Sequence, residues 1–577
     1  VLPEETPQSV AIIEKQELEE KVLRKVDDAL RYTPGFVNPY GADYDTNWMR
    51  MRGFQVTTLV DGQTQYQEGY FDTAIELRLG AIEVISGPAS ALYGDSQPGA
   101  SSILLRKSPQ KTPQKTVTLT GGSQSFVQGG FDISDFVTED GSQRYRLVAM
   151  ANREDSFVNG VNGWRAYVAP SWTIDISEKT SLTLMAKLPQ GQKDSERSFM
   201  PAWGTVVDRN GNKIPYGTNY GDPEHDVYDK DQASFGWEFR HAFNDRLEYK
   251  QSFTVKHTDL YFRTTAAYGS LDTAAGPSAN GLYRATLLND GTQTSFTFDN
   301  NLTGTWKTDD FDTVLQLGFD YQHHRNKWDG NGLGVAIENA DPFNVAQRHA
   351  FGQRTQALGQ RDQKRQLGLY TQAQTVWNDT ILLKGGMRYD FVKIDATNEN
   401  PDSINASDKL DEGQLSWNAG VMYFGPFGIS PYLNYSEAFF TNASMAQVGG
   451  YLPGTYGYYI YEPVETEQLE AGVKFTPDWL DGYVNIAWFR LKQKNALAQS
   501  VIGGILAQSQ VAQKESTGIE FSVNAALTDN LRLNAAYTYQ EVTKPKYQDA
   551  FGKWHDEAEL SPKHVASAWL SYNFADF

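Results

Sequence analysis

Cysteine is missing altogether from the 577-residue chain. Its absence rules out disulfides, thiolate nucleophiles, iron–sulfur clusters and cysteine-ligated zinc in one step. Long apolar runs are missing as well: nothing approaches the roughly 18 consecutive apolar residues of a transmembrane helix. Positive charge is in deficit, with 51 Lys and Arg against 71 Asp and Glu and a formal net charge of −20. A polyphosphate needs a basic surface, so no nucleic-acid partner is expected. The eight histidines show no His-Glu-x-x-His pair, and neither a Walker loop nor a Gly-x-Ser-x-Gly elbow occurs. His323 and His324 are adjacent, so on a strand they face opposite ways and cannot share a metal. Neither an enzymatic activity nor a directly bound metal is expected.

What is abundant is glycine (50), tyrosine (31), phenylalanine (30) and tryptophan (13), the composition of a large β protein. Mean hydropathy is negative. That does not exclude a membrane barrel, whose strands alternate lipid-facing and lumen-facing residues.

Two textures divide the chain. Residues 1–112 read as a small α/β domain. "QSVAIIE" (8–14) is a strand, and 15–32 places Leu18, Val22, Val26 and Leu30 at helical spacing. "TPGF" (33–36) ends that helix, and strands follow at 57–63 and 81–86. From about residue 115 the period becomes two, as in "ASFGWEFR" (233–240), "LQLGFDY" (315–321) and "LRLNAAYTYQ" (531–540). Roughly eighteen such segments fill 113–577. Tight turns are expected at 377–381 and 527–531, long loops at 189–230, 259–290, 324–362 and 440–463. One rim of short turns and one of long loops is the asymmetry of an outer-membrane barrel. A soluble propeller or solenoid would repeat a motif per blade or coil, and none is found. The fold class is therefore mainly β: a large antiparallel transmembrane β-barrel filled by an N-terminal α/β plug.

The stretch "IEVISGPASALYGDSQPGASSILLRK" (82–107) is a glycine-punctuated hairpin just ahead of the barrel. A barrel of about twenty strands would leak without a stopper. With "ETPQSVAII" (5–13), "DALRYTPGF" (28–36), "MRGF" (51–54) and "LVDG" (59–62), this hairpin resembles the plug of TonB-dependent outer-membrane siderophore receptors, most like the ferrichrome-type branch. The barrel segments "EPVETEQLEAGVKF" (462–475), "TGIEFSVNAAL" (517–527) and "LSPKHVASAWLSYNF" (560–574) resemble the same family in the same order.

The resemblance implies a receptor in the bacterial outer membrane that binds a ferric siderophore and imports it with energy from the inner-membrane TonB complex. It is expected to be a monomer in outer-membrane lipid, without a covalently bound cofactor. Ferric iron would enter only as part of the chelate. Cobalamin, an oligosaccharide or haem are alternative cargoes, and a passive porin is the remoter alternative. No TonB box is visible at "VLPEETPQ", so the coupling segment is expected to precede residue 1. The resemblance implies a barrel closed with twenty-two strands, so the C-terminal end is expected to be incomplete, a smaller closed barrel being the alternative.

By motif, Arg52 is implied to meet Glu470 and Glu520 between plug and barrel. The family usually carries a second Arg where this chain has Ser86. One cation facing two carboxylates leads us to expect either Arg50 as a substitute or a raised pKa on one glutamate. Gly53, Gly87, Gly94 and Gly99 are read as plug turn positions, and Ala89, Ser90 and Ala91 as allowing close packing on the wall. Aromatic planes suit a bulky chelate. The candidate ligand residues are Tyr40, Tyr44, Trp48, Tyr66, Tyr70 and Phe71 on the plug, and Trp203, Tyr216, Tyr220, Tyr268, Trp328, Tyr451, Tyr456 and Tyr458 on the loops.

Overall fold

A computed structural model describes residues 3–21, 25–39, 47–64, 80–194, 200, 204–206, 211, 213–222, 224–273, 276–340, 358–399, 403–442, 446–449, 456–502, 505–548, 554–558 and 560–574. Among them two units are nested. The first is a seven-stranded sheet of β1 (Val10–Glu14), β2 (Phe36–Val37), β3 (Arg50–Met51), β4 (Phe54–Val60), β5 (Gln63–Thr64), β6 (Ala81–Ser86) and β7 (Ala100–Leu105). The order is β1-β6-β7-β4-β3-β2, with β5 on β4 and only β4–β7 parallel. Its core gathers Ile13, Leu30, Met51, Val56, Ile82, Val84 and Leu104.

The helix expected over 15–32 is divided. The described pieces are α1 (Lys15–Glu20) and α2 (Val26–Leu30), and between them Lys25 is extended with φ −138°. Lys25 is buried and pairs with Asp27 at 3.2 Å. Helical spacing alone does not show that pairing.

Around this unit runs a closed antiparallel barrel that begins at Gln114–Gly121. Among the described residues eighteen strands make it, the last split into Trp554–Glu557 and His564–Tyr572, which both pair with Leu531–Gln548. Its polarity is inverted relative to a soluble protein. On the strand Leu358–Trp377, Asp362, Lys364 and Gln366 are buried inside while Leu367, Leu369 and Trp377 are exposed outside. On the next strand, Ile381–Asn398, Arg388 and Asp390 are inside, and Leu383, Met387, Tyr389 and Phe391 outside. Exposed Phe243, Trp306, Phe311, Trp377, Tyr423 and Trp479 all lie beside the short turns, an aromatic girdle at one bilayer face. An apolar exterior of this kind is stable only in lipid, and only a closed sheet satisfies its backbone there.

Much of the sequence expected as long loops continues the sheet. Gly276–Lys307 and Phe311–Ala340 are strands of 32 and 30 residues, against the roughly 9–11 that cross a bilayer. Thus 259–290 is largely a hairpin paired from Asp259↔Thr292 to Thr273↔Gly276. Beyond the bilayer both faces meet water, so the alternation that marks a strand fades while the pairing persists.

Met387 faces outward about midway along the apolar band and is 53% exposed. Met387→Arg should destabilise the barrel by about 2–4 kcal/mol, read as a lowered urea midpoint for refolding into lipid vesicles.

Candidate functional site at the plug–barrel interface

"MRGF" forms the two-residue turn between β3 and β4, with Met51 opposite Phe54. Arg52 and Gly53 both have positive φ, 52° and 82°, as a tight hairpin matched to strand twist requires. A left-handed conformation costs an arginine about 1–2 kcal/mol, and it aims the guanidinium from the plug into the wall. There Arg52 Nη2 and Nε donate to the Glu520 carboxylate at 2.6 and 3.1 Å. Nη1 donates to Glu470 Oε2 at 2.7 Å and to Gln468 Oε1 at 2.9 Å. The guanidinium carbon stands 4.3 Å from the Phe489 ring centroid. Arg52 and Glu470 are fully buried and Glu520 nearly so.

The missing second arginine is made good by neutral donors. Glu470 Oε1 accepts from Ser9 N at 2.7 Å, Ser9 Oγ at 2.8 Å and Tyr432 OH at 2.9 Å. Its oxygens are saturated without another cation. Ser86 itself is buried, its N–H on Ser9 O at 3.0 Å. Arg50 makes no bond to either glutamate; it lies on β3 beside Lys514, which donates to Gly53 O at 2.6 Å.

The hairpin between β6 and β7 makes the second anchor. Ala89, Ser90 and Ala91 are buried as a short helix, α3 (Ser90–Tyr93), meets the wall. Phe439 N donates to Ser90 Oγ at 3.1 Å, and Ser96 N to Phe439 O at 3.0 Å. Asp95 is buried, pairs with Lys364 and accepts from Thr441 N at 3.0 Å. Gly87 (φ 85°) and Gly94 (φ 74°) are needed for approach as well as for conformation. A Cβ on the first would run into the Gln468 amide, and one on the second would lie 2.8 Å from Arg388 Nη2. Gly53 abuts Val542, and Gly99 abuts the backbone of β4.

Behind Gly94, Arg388 holds two wall carboxylates at once, Asp320 and Asp390, with Nη2 at 2.9 and 2.7 Å. Sequence reading selected none of Lys364, Arg388, Asp320 or Asp390. The available signal was charge at the inward positions of alternating strands.

Of the aromatic candidates, Tyr40, Tyr44, Tyr66, Tyr70, Phe71, Trp203 and Tyr451 lie outside the described residues. Tyr268 and Tyr456 lie in strands, but their side chains are also outside the description. Trp48 is half-buried just before β3. Trp328 is buried against Tyr228, Leu260 and Phe262. Tyr220 is buried with Ile214 and Ala267, and exposed Tyr216 stacks on Phe157 at 5.2 Å. Tyr458 lies on a short strand whose backbone N–H donates to Asn405 Oδ1 at 2.8 Å. The structure thus places Tyr220 and Trp328 in separate clusters rather than in one lining. Among the described residues no three His, Asp or Glu side chains are grouped to hold a metal.

A lipid-facing barrel filled by a polar-anchored domain defines a gated outer-membrane transporter. Two family models match the chain: "TonB dependent receptor-like, beta-barrel" over residues 163–577 and "TonB-dependent Receptor Plug Domain" over 3–101. The chain belongs to the TonB-dependent receptors of the bacterial outer membrane. It is 31% identical to the ferrioxamine B receptor of Salmonella typhimurium over 578 residues, covering 99% of this chain and 79% of the relative. It is 28% identical to the ferrichrome outer membrane transporter/phage receptor of Escherichia coli over 607 residues, covering 99% and 78%. The closed form of the ferric-catecholate import receptor Fiu from E. coli shares the fold, with TM-score 0.80 at 20% identity over 99% of this chain and 85% of that one.

Arg52→Ala leaves two buried carboxylates facing each other and should weaken plug docking by about 3–5 kcal/mol, read as faster hydrogen exchange of β3, β4 and β7. Near the long-loop rim, buried Asp226 accepts from Asp222 N at 2.7 Å and from Thr265 N at 2.8 Å. Burial outweighs these bonds and lifts its carboxyl to about 6. The folded segment therefore holds its proton more tightly than the unfolded one. That stabilisation is complete below the ordinary value of 3.8 and lost as pH rises through about 6. Limited proteolysis of the 213–226 segment should be slower at pH 4.5 than at pH 7, and Asp226→Asn should remove the difference.

Proposed function

We propose that the protein binds a ferric siderophore at its long-loop face and imports it as a monomer, with iron entering only inside the chelate and no resident cofactor. The observation that carries this reading is the nested plug, joined to the wall at Arg52, Ser90 and Asp95 by polar bonds. Polar contacts can be exchanged for water one at a time, so a domain held in this way can shift without exposing a large apolar face. Such a stopper argues against a passive pore. The relatives' names support the cargo class: ferrioxamine B and ferrichrome receptors match along almost the whole chain. Energy comes from the TonB complex by virtue of the family. Trp48, Tyr216 and Tyr458 are the described candidates left accessible in part or in full for chelate contact.

Growth of an iron-starved deletion strain, complemented with the gene, on purified chelates tests the reading. Rescue by ferrioxamine B or ferrichrome is expected. Rescue by cobalamin or an oligosaccharide, with no chelate effective, would overturn it.

A further inference from the structure

At the short-turn rim, residues 3–9 lie along the inner face of the strand Val464–Phe475. Lys474, at the end of that strand, is buried, and its ammonium donates to three plug backbone carbonyls: Pro3 O, Thr6 O and, at 2.8 Å, Gln8 O. All three donors of the cation are thus spent on one short stretch of chain, and none of those partners is a carboxylate. Its charge is also 5.3 Å from the Tyr432 ring centroid. Burying an ammonium in this way is tolerable only while the carbonyls stay in place.

The stretch is seated by shape too. Pro3, Thr6, Pro7 and Gln8 are buried. Pro7 occupies a notch over Gly420, where a Cβ would stand 2.8 Å from Pro7 Cγ. At its other end the stretch is held separately, by Ser9 on Glu470 and by Gln8 Nε2 on Ser86 O at 2.9 Å. A pull on the start of this stretch therefore reaches Lys474 first, Ser9 next and Arg52 last.

We propose that Lys474 is a latch. It sets how readily residues 3–8 detach from the wall, while the plug sheet behind them stays locked at Arg52. The inference is independent of the cargo and concerns only how the transport movement starts. Lys474 acts as a positioning residue on the plug.

The chain has no cysteine, so a single introduced thiol reports cleanly. Thr6→Cys sits in the latched stretch and Ser102→Cys in the plug core; both positions are buried. Maleimide labelling of the full chain in lipid is compared with and without Lys474→Met. Loss of the charged bonds should speed labelling at Thr6→Cys by about tenfold and leave Ser102→Cys unchanged. Lys474→Gln, a neutral donor, should give an intermediate rate and serves if the Met variant does not fold. An unchanged rate at Thr6→Cys would overturn the proposal. Equal acceleration at both positions would overturn it as well, because Lys474 would then hold the whole plug.

Discussion

One buried guanidinium organises the contact between the two halves of this molecule. Arg52 reaches from a strained two-residue turn to two carboxylates on different wall strands, Glu470 on Val464–Phe475 and Glu520 on Ile505–Thr528. A lone buried charge is intolerable, and a buried pair of carboxylates is worse. Neither half is electrostatically satisfied alone, so each specifies where the other must sit. The turn, the left-handed arginine, Gly87 and the reach of Gln468 all serve that single meeting point.

The inverted barrel makes such a contact possible. Its exterior is solvated by lipid chains, so apolar residues are placed outward and the inner wall is left to polar groups. The plug therefore docks through ion pairs and hydrogen bonds at Arg52, Ser90, Asp95 and the carbonyls above Lys474, with its own apolar core kept inside its sheet. Specificity of position comes from many directional bonds. The interface can hydrate stepwise, which suits a stopper that must let cargo past.

The barrel was legible from period-two alternation because its strands have two contrasting environments, lipid and lumen. Where that contrast ends, as over 259–290, the strands read as loops although their backbones pair. The plug strands read at 8–14 and 81–86 were legible as short apolar runs and stand at Val10–Glu14 and Ala81–Ser86. The division of the 15–32 helix was not, since it turns on an extended Lys25 and its burial beside Asp27. Arg52, Glu470 and Glu520 came only through the family likeness, because no spacing links a residue of the plug to partners 418 and 468 positions later. What stands in for an arginine at Ser86 was hidden for another reason. The replacement is a backbone N–H and two hydroxyls, groups that every sequence contains and that only the fold aims.

At Arg52 the halves are held by charges coupled to one another, with Glu470 and Glu520 sharing one guanidinium. A double-mutant cycle between Arg52→Met and Glu520→Gln, scored by hydrogen exchange of the plug sheet in lipid, measures that coupling directly. A coupling of about 2 kcal/mol or more is predicted, with the double variant less destabilised than the two single effects summed. Additive losses would contradict the account.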